Sequence, residues 1–146
     1  IAYNLGSTTR WWKTFYGIST QAQYADLAEN YRADAAYEPG TVVQFGGEHE
    51  VTVAAESTRA IAGVVSTNPA HLMNSGLVGP TVVAVALTGR TPCKVVGPIA
   101  KGDMLVAAGN GYARSEANPT IGTVIGKSLE DFSEDSGVIE VVVGRL

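Results

Sequence analysis

Thr81-Val82-Val83-Ala84-Val85-Ala86-Leu87 and, four residues later, Pro92-Cys93-Lys94-Val95-Val96 decide how this chain is read. Both runs are short, rich in β-branched residues and separated by a Gly-containing polar break, which is the pattern of strands. The same signal recurs in both directions from this point. Towards the N-terminus lie Thr41-Val42-Val43-Gln44-Phe45, Glu50-Val51-Thr52-Val53-Ala54 and Ile61-Ala62-Gly63-Val64-Val65. Towards the C-terminus lie Asp103-Met104-Leu105-Val106-Ala107, Gly122-Thr123-Val124-Ile125-Gly126 and Val138-Ile139-Glu140-Val141-Val142-Val143. Runs of this kind at a spacing of roughly 10 residues predict an all-β domain, a compact sandwich or barrel. Gly109-Asn110-Gly111 suits a tight hairpin, because Asn and Gly tolerate positive φ. The later strands are apolar at successive positions rather than alternating, so burial on both faces is expected for them.

One stretch departs from this pattern. Tyr24, Leu27 or Ala28, Tyr31 and Ala35 stand at helical spacing, and the Ala content favours helix. Glu38-Pro39-Gly40 would stop such a helix abruptly, and the aromatic flanks suit a strand equally well. The expectation is one short helix within residues 20–36. The chain divides into an aromatic N-terminal segment, 1–23, and a β-rich domain, 24–146.

Composition narrows the function. The chain has 146 residues, 45% of them hydrophobic and 16% charged, against a usual charged share of about 25%. Low charge density leaves neutral surface that subunit contacts can use. A net charge of −4 argues against a nucleic-acid partner, which would need a basic face. No apolar run approaches the roughly 18 residues of a membrane-crossing helix, so membrane insertion is not expected. The lone Cys93, in an apolar run, is expected to be a buried, inert thiol. A chain opening on Ile1 rather than Met reads as a piece of a longer product.

Both tryptophans, two of six tyrosines and one of three phenylalanines fall within the first 17 residues. They lie in Asn4-Leu5-Gly6-Ser7-Thr8-Thr9-Arg10-Trp11-Trp12-Lys13-Thr14-Phe15-Tyr16-Gly17, soon followed by Tyr24-Ala25-Asp26-Leu27-Ala28-Glu29. So much aromatic area in a terminal segment needs a large surface to lie against, from this chain or from another copy of it. These segments resemble the distal ends of bacteriophage tail-fibre and neck-appendage proteins. The likeness extends in order through Tyr37-Glu38-Pro39-Gly40-Thr41-Val42-Val43, Gly63-Val64-Val65-Ser66-Thr67-Asn68-Pro69, Ala86-Leu87-Thr88-Gly89-Arg90 and Gly97-Pro98-Ile99-Ala100-Lys101-Gly102-Asp103. The resemblance implies an intramolecular-chaperone domain that trimerises a fibre, some members of the family then cleaving themselves off.

On that reading the chain is the distal domain of a virion appendage, assembled in the host cytoplasm, which joins three copies in register. Its partners are its own copies as an intertwined homotrimer, the upstream fibre shaft and a host-surface receptor. Trp11, Trp12, Phe15 and Tyr16 are expected at the subunit seam. Two alternatives stand beside it: a self-cleaving endopeptidase cut upstream of residue 1, and a receptor- or glycan-binding tip using exposed aromatics and loop Asn and Asp residues.

The residues able to carry chemistry are few. His49 and His71 lie in polar turns, with no His-x-x-x-His spacing and no Ser-His-Asp order, so neither a metal nor a cofactor is expected. Asp26 and Glu29, with Asp34 beyond, form the best acidic cluster. On a helix Asp26 and Glu29 would share a face, and two carboxylates forced together could work as an acid/base pair. The bland reading pairs one with Arg32 or Arg10 and leaves the rest in water. Ser66 is a candidate nucleophile or oxyanion contact, although Ser66-Thr67-Asn68-Pro69 is also ordinary turn chemistry. Lys101-Gly102-Asp103 reads as a turn, with Asp accepting backbone hydrogen bonds and Gly supplying an unusual φ. The acidic run 130–137 reads as a solvated loop before the last strand, and its Asp135-Ser136 pair comes too late to be a junction that releases the domain.

Overall fold

In the computed structural model, residues 3–14, 16–17 and 21–144 are described, and they carry ten strands. These are β1 (Asp26–Arg32), β2 (Val42–Phe45), β3 (Val51–Val53), β4 (Ile61–Val65), β5 (His71–Met73), β6 (Val82–Val96), β7 (Met104–Gly109), β8 (Tyr112–Ser115), β9 (Val124–Ser128) and β10 (Ser136–Gly144). The chain is all-β, and no helix occurs among the described residues.

The two apolar runs of the central stretch are one strand. The 15-residue β6 passes through Thr88-Gly89-Arg90-Thr91 without a turn, and its two halves belong to different layers. The first half lies between β1 and β4, and β5, β2 and β3 extend this outer sheet on its two sides. The second half belongs to a closed five-strand barrel in the order β6, β10, β9, β7, β8 and back to β6. Closure rests on the single parallel pairing of Val95 with Ala113. Closing the sheet leaves the barrel without a free edge.

Within the stretch 20–36, where a short helix was expected, Asp26–Arg32 fold as a strand instead. β1 pairs with β6 from Asp26 opposite Gly89 to Arg32 opposite Val82. The helical spacing of Tyr24, Tyr31 and Ala35 carries a local preference worth only tenths of a kcal/mol per residue. An exposed edge of β6 supplies a full ladder of backbone partners instead, and the tertiary term wins.

Two buried clusters meet at β4, whose five residues are all buried. Ile61 and Val64 join Cys93, Val95, Leu105, Ile125, Ile139, Val141 and Val143 in the barrel core. Ala62 and Val65 turn the other way, to Val43, Val51, Val83 and Val85, with Tyr31, Tyr37 and Leu87 at the margin. Burial on both faces, expected of the later strands, therefore holds for β4 but not for β10. In β10, Ile139, Val141 and Val143 point inward while Val138 and Val142 are exposed. The barrel wall covers only one of its faces.

The turns form as the sequence indicates. Asn110 and Gly111 have φ of 52° and 80°, as a two-residue hairpin between β7 and β8 demands. Asp103 Oδ2 accepts from the Ala100 N–H at 2.9 Å and from the Ser115 hydroxyl at 2.7 Å, and these bonds hold its carboxyl below the usual range. Cys93 is buried, its thiol pushed up to about 12 by burial, and is inert as expected. The acidic loop is largely exposed, yet Phe132 packs against the barrel core and Asp131 Oδ1 accepts from the Lys101 N–H at 2.9 Å.

Gly89 is the point at which β6 passes from sheet to barrel. Its φ is 101°, and a Cβ there would stand 2.2 Å from the Ala25 carbonyl oxygen. Gly89→Ala is expected to cost about 3 kcal/mol or more, combining left-handed strain with a backbone clash. Urea denaturation of the two proteins measures it, and a loss within about 0.5 kcal/mol would show that β6 bends elsewhere.

Candidate functional site

Two features of the chain are not explained by its own packing. The first is the N-terminal segment. Ser7 and Arg10 exchange backbone hydrogen bonds at 3.0 and 3.2 Å around a tight turn, and the Trp11 indole N–H donates to the Thr8 carbonyl at 2.9 Å. The aromatic faces find no such cover: Trp11 is 84% exposed, Trp12 67% and Tyr16 94%, and Tyr3 and Leu5 are exposed as well. Phe15, the fourth residue expected at a seam, lies outside the described residues. A row of large apolar side chains left in water is the mark of a surface that another body covers.

The second feature is a cleft of about 420 Å³ beside the Gly89 pivot. Residues 23–26 form one wall, Ser66, Thr67 and Asn68 leave β4 along another, and Arg90, Thr91 and Pro92 of β6 and Glu140 of β10 complete it. The cleft exists because β6 diverges here from the outer sheet into the barrel, and three chain segments end or bend around the gap.

The polar accounting of this cleft is unusual. Among the described residues three buried side-chain oxygens have no hydrogen-bond partner: Asp26 Oδ2, Ser66 Oγ and Thr91 Oγ1. All three residues line the cleft. They are 4%, 7% and 2% exposed, so bulk water does not compensate them. Leaving such a group unpaired costs about 1–3 kcal/mol. Other carboxylates in this fold are well served: Asp34, for instance, accepts from the Tyr37 hydroxyl and, at 2.7 Å, from the Thr52 hydroxyl, which keeps its carboxyl below the usual range. Uncompensated polar atoms gathered in one concave place identify a candidate site.

The structure thus brings two of the three sequence-derived candidates together and separates the third. Asp26 and Ser66 share the cleft, whereas strand geometry turns Glu29 to the opposite face from Asp26. There the Glu29 carboxylate accepts from the Tyr31 hydroxyl at 2.7 Å. Asp26 and Glu29 are not a carboxylate pair. Ser66 Oγ is buried and bonds to no base, so nothing here activates it as a nucleophile. His49 and His71 are exposed and lie outside it. Among the described residues no group of three or more His, Cys, Asp or Glu side chains is placed to hold a metal ion.

Arg90, Thr91 and Glu140 were not singled out in the sequence. The available signal was the polar Arg-Thr pair directly after Gly89, inside an otherwise apolar strand. Glu140 carried no mark beyond being the one charge in its strand.

Solved structures of bacteriophage phi29 proteins share this fold. A crystal structure of the bacteriophage phi29 gene product 12 C-terminal fragment is similar with a TM-score of 0.63 at 14% identity, over 82% of this chain and 100% of that one. The pre-mature phi29 gene product 12 gives 0.68 at 14% identity, over 88% of this chain and 23% of that longer one. The N base of the phi29 head fibre gp8.5 gives 0.53 at 19% identity, over 82% and 94% respectively. At these identities the likeness is one of fold. No protein-family model and no curated protein sequence matches the chain.

The unpaired hydroxyls give a stability test. Thr91→Val and Ser66→Ala remove atoms that carry a desolvation penalty and no bond, so each is expected to raise stability, by up to about 1 kcal/mol. Thermal melts of the two variants decide it. A loss of more than about 1 kcal/mol in both would mean that ordered water already satisfies these groups.

Proposed function

We propose that this chain is a structural domain of a phage fibre or similar virion appendage that assembles as a homotrimer and holds three chains in register. The observation that carries the reading is the exposure of Tyr3, Trp11, Trp12 and Tyr16 together in one segment of a chain that otherwise forms two buried apolar clusters. Burial of one aromatic side chain is worth about 1.5–3 kcal/mol. Trp11, Trp12 and Tyr16, repeated around a threefold axis, therefore supply enough apolar area to hold an assembly together. The fold likeness to phi29 gene product 12 and to the phi29 head fibre gp8.5 supports the same reading. In that role the domain is a virion component joined to an upstream shaft, with β6 and the closed barrel as the rigid body from which the aromatic segment reaches a neighbour.

Light scattering of the purified chain at micromolar concentration is expected to give three times the 15.2 kDa chain mass. Trp11→Ala combined with Trp12→Ala is expected to lower the oligomeric mass, while Glu48→Ala and Glu134→Ala on exposed loops leave it unchanged. A monomeric parent protein sinks the assembly reading. An intact trimer with both tryptophans removed moves the seam elsewhere.

Self-cleavage is the rival activity, and it has its own test. Expressed with its natural upstream segment, the chain is expected to show the same gel pattern in the parent, Asp26→Asn, Glu29→Gln and Ser66→Ala proteins. Cleavage that one of these variants abolishes, while still assembling, would make the domain a single-turnover protease acting in cis.

A further inference from the structure

A contact around a threefold axis joins two different patches, one from each neighbouring chain. The aromatic segment is one such patch, and the barrel wall offers a complement to it. An apolar groove of about 590 Å³ lies where β9 and β10 run side by side. Val124, Leu129 and Val142 are its apolar walls, and Lys101 and Lys127 flank it. Part of the hollow exists because side chains are missing: a Cβ on Gly102 or Gly144, which also line it, would meet nothing within 4 Å. Val142 is 40% exposed, on the outer face of a barrel whose interior is already filled. Val124 also lines an adjoining hollow of about 390 Å³ together with Ile121, which is 86% exposed. Groove and hollow make one apolar strip in contact with water.

The chemistry of the strip restricts its occupant. Polar groups pressed against Val124, Leu129 and Val142 would lose their water without gaining a partner. A groove of this size, within the range of about 300–1,000 Å³ usual for small-molecule sites, has room for an aromatic ring. Lys101 and Lys127 form no ion pair among the described residues, which leaves their ammonium groups open to a ring face. Indole is the best ring for such a contact. Charge favours the same occupant. Residues 1–24 contain Arg10 and Lys13 and no Asp or Glu. Directly after Leu129 comes the acidic loop, where Glu130, Asp131, Glu134 and Asp135 are exposed and form no ion pair among the described residues. A segment of indoles flanked by cations thus matches an apolar groove with an acidic margin.

We propose that this groove receives Trp11 and Trp12 of a neighbouring copy of the chain. The proposal rests on the trimer reading and names the surface that the seam covers. One indole lies against Val124, Leu129 and Val142, with the ammonium groups of Lys101 and Lys127 beside it. The other extends the contact towards Ile121, and Arg10 and Lys13 face the acidic loop. Each chain gives its segment to one neighbour and its groove to the other, so three equal contacts close a ring.

Trp11 and Trp12 are the only tryptophans in the chain, so intrinsic fluorescence reads this segment alone. The parent protein is expected to be trimeric by light scattering, with the blue-shifted emission of buried indoles. Val142→Glu puts a charge on the groove wall, and Gly144→Gln fills the groove from a position with open space around it. Each is expected to raise the concentration at which the trimer dissociates about ten-fold or more, as loss of a central contact does, and to shift the emission to the red. A mixing experiment separates this from misfolding. The Val142→Glu chain keeps its segment, and the chain with Trp11→Ala and Trp12→Ala keeps its groove. Mixed, they are expected to form a heterodimer and to restore the blue-shifted emission, which an unfolded variant could not do. A trimeric parent whose mass and emission are unchanged in both groove variants overturns the proposal and leaves the trimer reading standing. A mixture that neither associates nor shifts its emission also overturns the proposal alone. A monomeric parent overturns both, including a monomer whose own segment fills its groove.

Discussion

The structure depends on the shared hydrogen bonding of β6. Along its first half this strand pairs with β1 and β4, and along its second half with β10 and β8. Both layers of the domain are therefore fixed to one length of backbone. The two buried clusters each take residues from it: Val83 and Val85 on one side, Ala86, Cys93 and Val95 on the other. Changing from one layer to the next without a turn requires a residue that tolerates positive φ and close backbone approach, and Gly89 is that residue.

That constraint also creates the cleft. Where β6 leaves the outer sheet, the start of β1 and the exit from β4 no longer pack against a continuous strand. The gap exposes a side of the fold that is otherwise closed. Two buried hydroxyls elsewhere are bonded: Thr123 Oγ1 donates to the Thr120 carbonyl at 2.7 Å, and Ser128 Oγ to the Glu130 carbonyl at 2.6 Å. Three oxygens left without partners at the one place where the layers part is a local breach of the satisfaction rule, and such breaches gather where a protein binds something.

The aromatic segment and the cleft are neighbours along the chain. Residues 23–25 form a wall of the cleft and connect it to the segment that carries Trp11, Trp12 and Tyr16. The two features nevertheless have different chemistry. The segment exposes apolar rings, which favours association with a large apolar surface. The cleft is polar, small and built from side chains of one chain. The aromatic segment and the cleft are thus separate surfaces, and variants at the two places can be compared independently.

By itself the sequence determined the β class, most of the strand positions, the hairpin at Asn110-Gly111, the inert Cys93 and the capping role of Asp103. Each follows from a local cause: β-branched runs, residues that tolerate positive φ, or a carboxylate a few residues from a free N–H. Tertiary structure alone decided what depends on pairing between distant segments. Residues 26–32 became a strand because β6 offered an edge, and the two runs around Gly89 became one strand because barrel and sheet both needed its backbone. The union of Asp26, Ser66, Thr91 and Glu140 in one cleft was not legible, since these residues are separated by 25 to 114 positions in the sequence. Loops and pairings over such distances are set by the sum of packing across the domain. No short-range periodicity records that sum.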